Sequence, residues 1–208
     1  MLVNKLVLPL VALLSGFTNV THSTLEAERF PSLEVANTRT GNTCTTGFVN
    51  FAIGRAYTAG HCGTNGDVME LIGYRGKFTS HGQDGTHDWG YASIPALSWL
   101  ASAGPSWSQE PPKVGDRVCY QSRALGERCG IVLESTDSAF FTTTEGIGMP
   151  GDSGAAAYRD AQVAGLYTGI SIGDGGDVRA SFVRLPADER TDSKSRPHKL
   201  SSSLLSSS

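Results

Sequence analysis

The feature that most limits the fold of this chain is a series of short runs in which apolar and polar residues alternate, each ended by turn residues. No long window shows a sustained helical period, whereas brief runs with an apolar residue at every second position recur between Gly, Asn and Asp. The 25 glycines supply many positions at which a chain can turn sharply. The pattern predicts an all-β barrel or sandwich.

The expected strands form two groups, separated by a segment rich in Gly and Pro over 101–113 that we predict to be an interdomain linker. The runs expected as strands before it are 44–49, 55–58, 68–72, 77–79 and 89–94. The runs expected after it are 114–120, 128–134, 139–143, 155–158, 162–168 and 179–184. Residues 24–42 are polar and are expected to be irregular.

The first residues have the organisation of a secretory signal peptide. Lys5 gives a basic start, the apolar run from Leu6 to Leu14 follows, and small and polar residues continue to Ser23. The run is too short to span a bilayer. We therefore predict a signal peptide over 1–23, a secreted, extracellular protein and no membrane association.

The four cysteines agree with export. Cys44, Cys62, Cys119 and Cys129 form an even set behind a signal peptide, which favours disulfides. Four cysteines permit three pairings, of which the local one, Cys44–Cys62 with Cys119–Cys129, is the simplest. Their spacing lacks the close pairs typical of zinc sites, so no zinc is expected.

Charge excludes one class of partner. The formal net charge is −3 and Lys and Arg are scattered, so the chain has no basic surface suited to nucleic acid. The polar, serine-rich residues 190–208 are predicted to be a disordered tail.

The heptad from Gly148 to Gly154 suits a serine nucleophile. Ser153 needs a rigid turn with donors waiting where an oxyanion forms, and Gly151 can adopt backbone angles that aim two N–H groups at one point. Gly154 leaves room for an incoming carbonyl. The same residues also suit an ordinary turn, so the heptad alone does not decide.

A candidate base and a candidate acid precede this heptad. His61 follows small residues and stands directly before Cys62, although a lone histidine is more often a core residue. Asp88 precedes an apolar strand, where a buried carboxylate needs a partner such as an imidazole N–H. Asp67 and Asp84 are rival acids that we expect in exposed turns.

Two further histidines leave a metal site open. His81 and His87 stand near Asp84 and Asp88, but no third ligand is placed by spacing. We expect them to be loop histidines, and we expect no metal and no cofactor.

Together, Thr58–Cys62, Asp88 and Gly151–Gly154 resemble the motifs of the chymotrypsin-fold serine peptidases. The likeness is closest to the branch of streptogrisins and α-lytic protease, in which the order is also His, Asp, Ser. It implies two six-stranded antiparallel β-barrels, over 24–105 and 106–189, with the active site in the cleft between them. It also implies the disulfides Cys44–Cys62 and Cys119–Cys129.

The resemblance assigns roles to individual residues. Ser153 is implied as nucleophile, His61 as general base and then acid, and Asp88 as the group that orients the imidazole. The N–H groups of Gly151 and Ser153 are implied as the oxyanion hole. The residues implied in substrate binding are Thr168, Gly169 and Ile170.

The chain departs from that branch in places. Ile170 stands where glycine is usual and favours small or medium apolar substrate side chains, while only Glu145 supports a basic preference. Tyr120 replaces an arginine of the branch, so we expect Asp152 to bind either Arg123 or the Tyr120 hydroxyl.

The hypothesis that best fits these residues is that the protein is a monomeric secreted serine endopeptidase that acts on proteins or peptides. A binding protein that keeps the peptidase fold without turnover is the alternative, motivated by Tyr120 and Ile170. A third hypothesis is that the protein is a metal-dependent secreted hydrolase.

Overall fold

A computed structural model describes residues 33–84, 86–99 and 105–190 of the protein. In these ranges the chain forms two antiparallel β-sheets, one of seven strands and one of six that closes into a barrel. The all-β prediction is confirmed. The expected signal peptide and the residues of the expected tail beyond Arg190 lie outside the described residues. Within the described ranges, no helix has the length and apolar character needed to cross a membrane.

The first sheet has seven strands where six were expected. Its strands are β1 (Leu33–Asn37), β2 (Thr43–Thr46), β3 (Phe48–Asn50), β4 (Arg55–Thr58), β5 (Val68–Leu71), β6 (Tyr74–Ser80) and β7 (Gly90–Ser93). Their order is β2-β1-β5-β6-β7-β4-β3. The extra strand arises at Gly47, the single residue between β2 and β3, where a side chain would collide with the Gly154 carbonyl. The two outer strands are thus consecutive in the chain.

Strand β1 corrects the expectation that residues 24–42 are irregular. It pairs with β2 on one side and with β5 on the other. Val35 and Asn37 are buried on its inner face. The polar Asn37 broke the apolar alternation in the sequence, and it is buried because its amide donates to Asp67 Oδ2 at 2.8 Å.

The second sheet has the six expected strands. They are β8 (Arg117–Ser122), β9 (Gly126–Ser135), β10 (Ala139–Thr142), β11 (Ala156–Arg159), β12 (Gln162–Ile172) and β13 (Val178–Val183). The barrel closes in the order β10-β13-β12-β11-β8-β9. A short helix α1 (Ala187–Arg190) follows, and 3₁₀ helices cover Gly60–Cys62, Pro95–Trp99 and Thr144–Gly146.

Each sheet has its own buried apolar cluster, and a third cluster joins the two sheets. It contains Phe48 and Tyr57 of the first sheet, Leu166 of the second sheet, and Trp107. Trp107 is 2% exposed and meets the Phe48 ring edge-on at 5.4 Å. It belongs to the expected linker, whose described part therefore packs into the core and holds the sheets in one relative position.

One disulfide cross-links each of the two sheets, and one ion pair joins the last described helix to the first sheet. Disulfides join Cys44 to Cys62 and Cys119 to Cys129, the local pairing that was expected. Glu189 of α1 accepts two hydrogen bonds at 2.8 Å from Arg55 of β4, so the last described helix is fastened to the first sheet.

Candidate active site

The His61 side chain lies within hydrogen-bonding distance of both Asp88 and Ser153, although the three residues are far apart in sequence. His61 stands in the 3₁₀ helix after β4, Asp88 just before β7, and Ser153 on the turn between β10 and β11. The His61 Nδ1 atom lies 2.6 Å from Asp88 Oδ2, and its Nε2 atom lies 2.9 Å from Ser153 Oγ. One imidazole therefore bridges a hydroxyl and a carboxylate, which is the geometry needed to activate a serine.

The carboxylate of Asp88 is held on both oxygens. It is 5% exposed, and its second oxygen, Oδ1, accepts the backbone N–H of His61 at 2.8 Å. A buried carboxylate without such partners would be costly, so this double contact fixes the acid and the imidazole ring together. The His61 side chain remains 39% exposed and is open to an incoming molecule.

Close packing sets the position of His61. A side chain at Gly60 would collide with the Gly82 carbonyl and would lie within 3.0 Å of Trp89 backbone atoms. The adjacent Cys62 is fixed by its disulfide to β2. The small residues and the cysteine around the histidine therefore have a structural reason: they let the loop before β7 approach.

The turn that carries the candidate nucleophile Ser153, which we name the nucleophile turn, depends on two glycines in the left-handed region. Gly151 has φ 97° and Gly154 has φ 91°. Among the described residues no acceptor takes a hydrogen bond from the N–H of Gly151 or of Ser153, whereas Gly154 N–H donates to the Tyr167 carbonyl at 2.6 Å. Both N–H groups are therefore free to donate to an oxyanion, as the predicted oxyanion hole requires.

Two threonines of the first sheet hold this turn, and neither was predicted from the sequence. Thr45 donates its N–H to the Ser153 carbonyl at 2.8 Å and its hydroxyl to the Gly151 carbonyl at 2.7 Å. The Thr58 hydroxyl donates to the Thr45 carbonyl at 2.7 Å. A side chain at Gly154 would collide with both threonines. Their only sequence signal was their closeness to Cys44 and His61.

Asp152 is bound differently from the expectation. It is 1% exposed, and its carboxylate accepts the Ser122 hydroxyl at 2.6 Å and the Met149 N–H at 2.8 Å. Its other oxygen accepts the backbone N–H of Arg123 at 2.9 Å. Neutral donors thus satisfy the acid that precedes Ser153.

The expectation for Asp152 was wrong about the side chains involved. The guanidinium of Arg123 points away to Glu34, and only its backbone N–H reaches the acid. Tyr120 stacks on Tyr167 with ring centroids 4.8 Å apart, and burial raises the pKa of Tyr120. Ser122 was not predicted, because no local sequence pattern distinguishes it.

The rival acids and the loop histidines have other partners. Asp67 was expected in an exposed turn, but it is 7% exposed and pairs with Arg39 at 2.6 Å. The hydrogen bond from Arg39 holds the pKa of Asp67 well below its usual range. Asp84 is exposed and pairs with His87, and the His81 ring stacks on Trp89 at 4.0 Å.

The described residues contain two groupings with metal-ligand atom types. One is Cys44, His61 and Cys62, and the other is Cys119, Glu127 and Cys129. All four cysteines are bonded in disulfides, so neither grouping offers a thiolate ligand.

The implied substrate residues lie on β12 beyond its pairing with β11. Strand β11 is paired with β12 only as far as Leu166, whereas β13 is paired with β12 as far as Ile172. Ile170 is 62% exposed, and the Thr168 hydroxyl donates to the Ser181 carbonyl at 3.1 Å. Glu145 lies elsewhere, in a cavity of about 200 Å³ lined also by Arg117 and Ile131.

The chain is similar to known proteins in sequence and in structure. It is 31% identical over 185 residues to the uncharacterized proteins MT1863 and Rv1815 of Mycobacterium tuberculosis, with 77% of this chain and 82% of those proteins covered. No protein-family model matches it.

Solved structures of bacterial proteases share its fold. Nocardiopsis protease superposes with a TM-score of 0.55 at 22% identity, covering 75% of this chain and 92% of that one. Cellulomonas bogoriensis chymotrypsin superposes with a TM-score of 0.56 at 20% identity, covering 77% and 92%. At these identities the likeness shows the fold.

Proposed function

Since the chain belongs to the family of the mycobacterial proteins MT1863 and Rv1815 and has the fold of the chymotrypsin-like serine proteases, we propose that it is a secreted serine endopeptidase. The observation that carries the proposal is the single imidazole of His61, with Ser153 Oγ at 2.9 Å and Asp88 Oδ2 at 2.6 Å. Fold alone would not suffice, because one fold serves many functions.

In the proposed reaction Ser153 Oγ attacks the carbonyl carbon of a peptide bond while its proton passes to His61 Nε2. Asp88, hydrogen-bonded to Nδ1–H, stabilises the imidazolium that forms. The carbonyl oxygen becomes an oxyanion that accepts the N–H groups of Gly151 and Ser153, and one such donor is worth about 3 kcal/mol of transition-state stabilisation.

The tetrahedral intermediate then collapses. The C–N bond breaks, and His61 returns its proton to the leaving amine, which leaves an acyl group on Ser153. Water attacks the acyl carbonyl with its proton passing to His61, the C–Oγ bond breaks, and Ser153 recovers its proton. The reaction uses no cofactor.

The substrates of the proposed enzyme are proteins or peptides. Thr168, Gly169 and Ile170 lie on a strand segment whose side toward β11 has no strand partner among the described residues, so a substrate backbone can pair there. Ile170 replaces the usual glycine of the resembling branch. It limits the primary pocket, which receives the side chain of the residue before the scissile bond, to small or medium apolar side chains.

We further propose that residues 24–105 and 106–189 act as two domains whose barrels flank the active-site cleft. The proposed signal peptide 1–23 directs the chain to the extracellular space, where the disulfides persist. The protein is proposed to act as a monomer.

A fluorophosphonate probe tests the function, because it reacts only with an activated serine. Wild-type protein is expected to be labelled with one equivalent, Ser153→Ala is expected to remain unlabelled, and Ser98→Ala, which removes another serine, is expected to be labelled normally. Labelling that survives Ser153→Ala contradicts the assignment. A folded wild type that is never labelled instead favours the binding protein without turnover, and activity abolished by a chelator favours the metal-dependent hydrolase.

A further inference from the structure

Strand β12 has an open edge next to the candidate nucleophile. Its last bonds on the side of β11 are those of Tyr167, whose N–H donates to the Ala155 carbonyl and whose carbonyl accepts the N–H of Gly154. From Thr168 to Ile172 its only strand partner in the described part of the chain is β13. The unpaired edge of β12 therefore begins directly after Tyr167, whose hydrogen-bond partner Gly154 is adjacent to Ser153.

Two exposed aliphatic side chains lie along this edge, and a third lies next to them on β13. Ile170 is 62% exposed, Ile172 is 71% exposed, and Val178, opposite Ile172 on β13, is 42% exposed. Residues two apart on a strand, and residues directly paired across strands, lie on the same face. The three side chains, which we name the apolar strip, therefore share one face of the β12–β13 hairpin.

The opposite face of the same hairpin is polar. Ser171 and Arg179 are paired across the strands there, and Arg179 forms ion pairs with Asp177 and Glu134. The apolar residues are thus segregated on one face, which marks a surface for an apolar partner.

Antiparallel pairing fixes which substrate residues reach the strip. The register of β12 shifts between Tyr167 and Gly169, and Gly169 has φ 129°, so regular alternation begins at Ile170. We take the Thr168 carbonyl to accept the N–H of the residue before the scissile bond and Ile170 to lie opposite the third residue before that bond. By the same register Ile172 lies opposite the fifth. Side chains that are directly opposite lie on one face, so the third and fifth substrate side chains lie against Ile170 and Ile172.

This inference rests on the proposed function. We propose that the apolar strip makes the enzyme select substrates with aliphatic or aromatic side chains at the third and fifth positions before the scissile bond. Ile170 covers the third position, and Ile172 with Val178 covers the fifth. A polar side chain at either position leaves the strip uncovered.

Four peptides test the selection. They are identical, with Ala before the scissile bond, except for Leu or Gln at the third and fifth positions. Leu is expected to raise kcat/KM about three- to tenfold over Gln at each position. The variant Ile172→Thr is expected to lose the preference at the fifth position and to keep that at the third.

Ile131→Thr is the matched control. Ile131 is also an exposed strand isoleucine of the second barrel, but β9 lies on the side of that barrel opposite β12. It is expected to leave both preferences unchanged. Thr retains β-branching, and both positions are exposed, so both variants are expected to fold.

Binding separates a failure of this inference from a failure of the proposed function. The dissociation constants of the four peptides are measured with Ser153→Ala, which needs no turnover, and Leu is expected to tighten binding at both positions. Equal constants, or a preference that survives Ile172→Thr, would overturn the inference, even if the fluorophosphonate labels Ser153. Concentration-dependent dimerisation that is lost in Ile172→Thr, together with equal peptide affinities, would assign the strip to a second copy and overturn it as well.

Discussion

Removing the Ser122 hydroxyl tests how the nucleophile turn is held. Ser122 donates to Asp152 Oδ2 at 2.6 Å, and both residues are 1% exposed. A hydrogen bond to a charged acceptor contributes about 1.5–3 kcal/mol, or about 10- to 150-fold when it is lost entirely from the transition state. Because the N–H groups of Met149 and Arg123 still bind Asp152, we expect Ser122→Ala to reduce activity by about tenfold.

The assay is the second-order rate constant of fluorophosphonate labelling, with the affinity for a peptide boronate measured in parallel. The boronate places a tetrahedral oxygen where the oxyanion forms, so a distorted turn weakens its binding. Thermal unfolding of the same samples separates misplacement of the turn from loss of folded protein. Ser122→Thr keeps a hydroxyl and is expected to recover most of the activity.

Ser108→Ala is the matched control for a lost buried hydroxyl. Ser108 is 3% exposed, and its hydroxyl donates to the Glu110 carbonyl at 2.8 Å. It is expected to lower stability by about 0.5–1.5 kcal/mol without changing the labelling rate of the folded protein. A labelling rate and boronate affinity of Ser122→Ala within twofold of wild type would refute the reasoning, since Asp152 would then be held without the hydroxyl.

Two further predictions concern stability. Asp67→Asn is expected to lower the melting temperature at pH 7, because the Arg39 hydrogen bond depresses the pKa of Asp67 in the folded state. Such a group stabilises above its unfolded pKa of about 3.9 and loses that contribution as the pH falls, so the difference from wild type should narrow below about pH 4; a constant difference across pH would contradict this. Glu189→Gln is expected to lower the free energy of unfolding in urea by about 1–2 kcal/mol, because charge-assisted bonds to Arg55 are lost. Its effect should be smaller in an Arg55→Met background, and full additivity would speak against the pair.

Much of the fold followed from local patterns. The short apolar runs bounded by turn residues predicted every strand of the second barrel within a few residues, because each of these strands buries apolar side chains in the core. Strand β1 was missed because Asn37 interrupts the apolar period, and its burial depends on Asp67, which is 30 residues distant in sequence. A hydrogen bond between residues so far apart in sequence does not affect the local alternation of apolar and polar residues.

The partners of the nucleophile turn were beyond local reasoning for the same reason. Thr45 binds the Gly151 carbonyl across 106 residues of sequence, and Ser122 binds Asp152 across 30. Serine and threonine are common in strands and turns, so neither position differs from its surroundings until the sheets are packed. Asp152 was predicted to bind the side chain of either Arg123 or Tyr120. In the structure it accepts three neutral hydrogen bonds, one from the Ser122 hydroxyl and two from backbone N–H groups.

By itself the sequence determined the strand rhythm, the even cysteine set and the residue types of a serine-activating group, because each depends on local periodicity or on the chemistry of single side chains. Only the tertiary structure decided that His61 stands between Ser153 and Asp88, that Thr45 and Ser122 hold the turn, and that the apolar strip lies beside an open strand edge. Those relations depend on how two sheets pack and on which register their strands adopt. Burial and register are properties of the folded whole, and no short stretch of the chain encodes them.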